Sequence, residues 1–239
     1  MQFIEWVKRK VVYQGDNGYK ELTNNYTTKD GILAILVFPA YIVFFYLGIR
    51  IHIHLGENIV SIIGNAAGVL LVFVILYLRR QKLCTVGISK NSWLKSSIIG
   101  FLLGVTYFIL RVVGIIPASL QVMDGHNLAF VIFFYFVVIS FSEEFVFRGY
   151  MQTRIYGIIK SDFWAVVCVG FLFALLHIIA DIMLLRYFGD YGFVLRYTPV
   201  VWNLVQITII HALINYFYRR YNSLAGPVIL HGFLNLNLY

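Results

Sequence analysis

The chain has 239 residues, 60% of them hydrophobic and only 13% charged, with a mean hydropathy of +0.80. That balance excludes an ordinary soluble domain and leaves almost nothing for a separate water-soluble module. A net charge of +8 suggests nucleic acid on a soluble protein, but no basic patch interleaved with aromatics is present, so nucleic acid is not an expected partner.

A membrane span needs ~20 mostly apolar residues, and the chain offers six or seven such runs. The expected fold class is all-α: a polytopic helical membrane protein of about seven transmembrane helices, one domain over residues 31–239. Residues 1–30 read as an N-terminal segment. Its first ten residues are apolar and basic together, as in an interfacial helix, and the remainder, with Gly15, Asn17, Gly18, Asn24 and Asn25, reads as loop. The segment lacks the apolar core of a cleavable leader, and the last four residues are not a prenylation box.

Spans are expected at 32–49 (mildly broken by Pro39), 59–78, 96–116, from 128 past Arg148 towards Tyr156, from 163, at 200–217, and in a short last span from 223. Between the first two, His52 and His54 read as an exposed polar loop rather than a metal site, because no third ligand is near. Arg111, close to the end of the third span, is expected to snorkel to the headgroups. Cys84 and Cys168 are not placed to pair and are too few for a zinc cluster. Fifteen of the nineteen Lys and Arg residues fall in alternate segments, 1–30, 79–95, 148–160 and 219–220. That alternation predicts a cytoplasmic N-terminus, and the composition fits a bacterial plasma membrane.

The informative stretch is Phe141-Ser142-Glu143-Glu144-Phe145-Val146-Phe147-Arg148-Gly149-Tyr150, which follows thirteen residues without a charge. Ionisable groups in an apolar span are costly and usually mark function. Glu144 and Arg148 are spaced i,i+4 and can pair on one helix face, while Glu143 points about 100° away. Later spans add Phe173 and His177, with Asp181 one turn on as a candidate to orient His177, and then His231 and Asn235. A carboxylate beside a neutral imidazole can deprotonate water, and an imidazole and an amide can donate to an oxyanion. Counted at 1.5 Å per residue along upright helices, Glu143, His177 and His231 would lie roughly 8, 21 and 12 Å from the inner surface, a spread that tilt must absorb.

The set Glu143-Glu144-X-X-X-Arg148-Gly149, Phe173-X-X-X-His177 and His231-X-X-X-Asn235 resembles the CPBP family (CAAX protease and bacteriocin processing, also called Abi). Its eukaryotic relatives are the type II CAAX prenyl endopeptidases. The likeness covers about residues 90–239, including Ser223-Leu224-Ala225-Gly226-Pro227 before His231. It implies a glutamate-dependent intramembrane peptidase acting on hydrophobic or amphipathic peptides at the lipid bilayer. Glu143 would be the base, assisted by His177, with His231 and Asn235 at the oxyanion. Glu144 and Arg148 would orient the motif, Glu144 being also able to share in catalysis, and Phe173 would pack the wall. The resemblance implies no cofactor, although Glu143, His177 and His231 could also form a two-histidine, one-carboxylate zinc set. His211-X-X-X-Asn215 repeats the form of the last motif without its upstream context. A scaffold or bacteriocin-immunity protein on the same fold and a transporter are the competing readings.

Overall fold

In hydrocarbon a backbone must satisfy its own N–H and C=O groups, and the apolar runs of this chain do so as helices. The computed structural model describes residues 17–55, 59–88, 92–115, 128–188 and 199–236. The expected interfacial helix at 1–10 lies outside them, as do Pro117 and most of the loop around Asp190. The described residues form α1 (Asn17–Asn24), α2 (Thr28–Leu55), α3 (Ile59–Leu78), α4 (Trp93–Val112), α5 (Leu128–Gly157), α6 (Asp162–Phe188), α7 (Val200–Tyr221) and α8 (Ala225–Asn235).

Five of these, α2 and α4 to α7, are long and apolar enough to cross a membrane, and α3 supplies a shorter apolar helix, Ile62–Leu78. The molecule is a multi-pass membrane protein. The seventh expected span is the exception. With 11 residues, α8 rises only ~16 Å, about half of a ~30 Å core.

Three local readings change. Residues 51–55 continue α2, so the stretch holding His52 and His54 is helical and not a loop. Residues 17–24 form α1, because Tyr19 and Thr23, one turn apart, are buried against the bundle; packing there overrides the weak helix propensity of Asn17 and Gly18. Arg111 is buried and stacks over the Tyr107 ring at 5.5 Å. It does not snorkel outward.

The basic end of the bundle is held by paired arginines. Arg154 is fully buried and donates to Thr85 O (2.8 Å), Thr85 Oγ1 (2.6 Å) and Gln81 Oε1 (2.9 Å), between the Tyr26 and Tyr150 rings. Asp30 caps α2 with Thr27, accepting from its N–H (3.0 Å) and Oγ1 (2.7 Å), and binds Arg79 (3.0 Å). Arg219 at the end of α7 pairs with Asp162 at the start of α6 (3.0 Å) and stacks on Tyr19.

These contacts pin the segment after α3 beneath α8. Gly87, in the left-handed region at φ 81°, accepts from Leu224 N–H at 3.1 Å just before α8 begins. A Cβ there would meet Tyr218 and Leu224.

On its other side α8 lies against α4 at backbone distance. Ser96 Oγ accepts the free Gly226 N–H (3.0 Å), and a Cβ on Gly100 would come within 2.7 Å of Gly226 Cα. Small residues permit such close helix crossings in membranes. Gly100→Ala is expected to push the helices apart at a cost of ~1–3 kcal/mol, read as a lower thermal midpoint of the purified protein in detergent. An unchanged midpoint would contradict the close crossing.

Candidate active site

The glutamate stretch falls in the middle of α5, where the helical register widens to π-type over Phe134–Phe141 and again over Glu144–Met151. Such widened turns are frequent at functional sites. Here both carboxylates reach the bundle interior. Glu144 is fully buried and bonded to Arg148, itself fully buried, one turn along. Its Oε1 also accepts from His231 Nδ1–H at 2.7 Å. Glu143 makes no such bond. Its Oε2 lies 3.9 Å from His177 Nε2 and 3.7 Å from His231 Nε2, and it retains 12% exposure beside a His177 that is 28% exposed.

The tautomers follow from the partners. A carbonyl only accepts, so His177 Nδ1 donates to Phe173 O (2.8 Å) and a neutral His177 presents a bare Nε2 lone pair towards Glu143. That bond takes the place expected for Asp181, which is buried one turn further on; the backbone carbonyl orients the ring.

Phe173 forms the common wall. Its ring centroid lies 4.6 Å from His177, 6.2 Å from His231 and 5.0 Å from Phe147, with the Arg148 guanidinium 5.2 Å away. Asn235, one turn beyond His231, donates from Nδ2 to Ser140 Oγ (3.3 Å). Ser140 is fully buried on α5, one turn before Glu144. Nothing in the sequence singled it out except that it is the one hydroxyl of an apolar run other than Tyr135.

Glu143, Glu144, Arg148, Phe173, His177 and His231 therefore converge, and Asn235 joins them through Ser140. The expected depth spread vanishes for a simple reason. Arg148 is buried in an ion pair and Arg154 among hydrogen bonds to Gln81 and Thr85, so neither marks the end of the helix, which runs on to Gly157. Glu143 lies fourteen residues before that end, and His177 lies fifteen after the start of α6. A Cβ on Gly149 would touch Leu224 at 3.3 Å. The entry to α8 is thus level with Gly149, between the middle and the end of α5, and the rise from Leu224 to His231 brings His231 level with Glu143. Among the described residues, no group of three or more His, Cys, Asp or Glu is arranged to hold a metal ion.

Acids, imidazoles and an amide thus meet inside a bundle of apolar helices. Residues 125–237 match the family model described as type II CAAX prenyl endopeptidase Rce1-like. The match spans just under half of the chain, and that part is similar to this endopeptidase family. Neither the curated proteins nor the solved structures contain a match to the chain.

Removing one partner of a buried ion pair strands the other charge, at ~3–5 kcal/mol. Arg148→Met should therefore lower the yield and thermal midpoint of folded protein sharply. Adding Glu144→Gln to it should recover part of the loss. If the double variant is less stable than Arg148→Met alone, Glu144 is not held by this pair.

Proposed function

We propose that this protein is an intramembrane endopeptidase that hydrolyses peptide bonds of membrane-associated peptides or proteins with water activated by Glu143. The supporting observation is the placement of a carboxylate oxygen free of hydrogen-bond partners 3.9 and 3.7 Å from two imidazole nitrogens, while the neighbouring acid is already neutralised. One water can donate its two hydrogens to Glu143 Oε2 and His177 Nε2. Glu143 takes a proton as the water oxygen attacks the peptide carbonyl. In this scheme His231 carries both protons: Nδ1–H stays on Glu144, and Nε2–H donates to the oxyanion together with the second amide hydrogen of Asn235. Glu143 then returns its proton to the leaving nitrogen as the C–N bond breaks.

The substrates are hydrophobic or amphipathic peptides, presented from the bilayer of a bacterial plasma membrane with the basic end of the bundle in the cytoplasm. No cofactor takes part. Purified protein in detergent or liposomes should cleave members of a panel of membrane-associated peptides. Glu143→Ala and His177→Ala should each lose ~10²–10⁴-fold in rate, with no loss on adding a strong chelator. Asp181→Asn should stay close to wild type. Loss with chelator would replace this scheme by zinc on Glu143, His177 and His231. Glu143→Ala acting as wild type in cells would point to a scaffold or immunity role.

A further inference from the structure

The scheme leaves His211 unused, yet its ring is fully buried. A polar ring in such surroundings costs free energy unless it is partnered, and His211 has two partners, each on a helix that carries the site. Its Nε2–H donates to Gln152 Oε1 at 3.3 Å. Gln152, also fully buried, lies one turn beyond Arg148 and two beyond Glu144, on the same stripe of α5. The flat side of His211 lies against Phe173, centroids 5.6 Å apart. Gly170 makes room for it, since a Cβ there would come within 3.1 Å of the imidazole.

Phe173 is the residue whose displacement would matter most. Its carbonyl fixes the His177 tautomer, and its ring fills the space between His177, His231 and Arg148. His211 itself bonds to neither Glu143 nor Glu144. We infer that His211 is a positioning residue: through its bond to Gln152 and its contact with Phe173, α7 holds the base-bearing turn of α5 and the His177 turn of α6 in register. The inference deepens the peptidase reading and rests on it.

A displacement of about 1 Å at a reacting group can cost up to ~100-fold in rate. His211→Ala should therefore lower kcat roughly ten- to a hundred-fold with KM within about two-fold, on a peptide that the wild type cleaves. The loss should be smaller than for His231→Ala, and the pH–rate profile should keep its shape. His211→Gln, whose amide N–H can still reach Gln152, should restore most of the rate. Gln152→Leu should reproduce the kcat loss, and the double variant His211→Ala/Gln152→Leu should be no worse than the weaker single.

Wild-type kcat in His211→Ala overturns the inference, as does a lost limb of its pH profile, which would make His211 a reacting group. Multiplying losses in the double variant also overturn it. A loss exceeding that of His231→Ala would mean that His211 and Asn215 are the working pair. Thermal midpoints of the same four proteins test the clasp without any substrate, and additive shifts sink it. A wild type that cleaves no peptide sinks the peptidase reading and the kinetic role together, and leaves the clasp to be judged by the midpoints.

Discussion

A carboxylate buried among apolar side chains is stable only with a positive charge and hydrogen bonds around it, and Glu144 has Arg148 from its own helix and His231 from the last one. Desolvating an ion costs several kcal/mol even after relaxation, so this three-part contact fixes much else. It ties α8 to α5, fixes a proton on His231 Nδ1, and pairs one acid of the adjacent two. The other acid, Glu143, is left facing two imidazoles without a bond of its own. The bundle thus leaves one acid of the pair unbonded by bonding its neighbour.

The second constraint is the placement of a helix too short to cross the bilayer. α8 has no span length to set its depth, so contacts at its start do it. Ser96 accepts from Gly226, Gly87 accepts from Leu224, and Gly100 lets the α4 backbone approach closely. The segment 79–88 that carries Gly87 is itself anchored by Arg154 through Gln81 and Thr85. Part of this support, from α4 and the segment before it, lies outside the residues that match the protease family.

Much of the site was legible because its chemistry is written in spacing. An i,i+4 acid–base pair, a histidine four after a phenylalanine and an asparagine four after a histidine each define one helical face, wherever that helix goes. The partners were not legible. Ser140 looks like any small residue in an apolar run, and the bond that orients His177 comes from a backbone carbonyl, which no side-chain pattern reveals. His211 carries the same local form as His231, and only the packing separates them: one ring meets both glutamates, the other meets Gln152 and Phe173.

By itself the sequence determined the environment and the candidate polar groups within it. Apolar runs of span length must be helices in lipid, and two acids among them must be partnered or used. Tertiary structure decided the depth. Charges mark a membrane boundary only when they face water, and Arg148, Arg154 and Arg219 are buried in pairs and stacks. That burial lets α5 continue to Gly157 and brings Glu143, His177 and His231 to one level, because the energy of a charge depends on what surrounds it and not on its place in the chain.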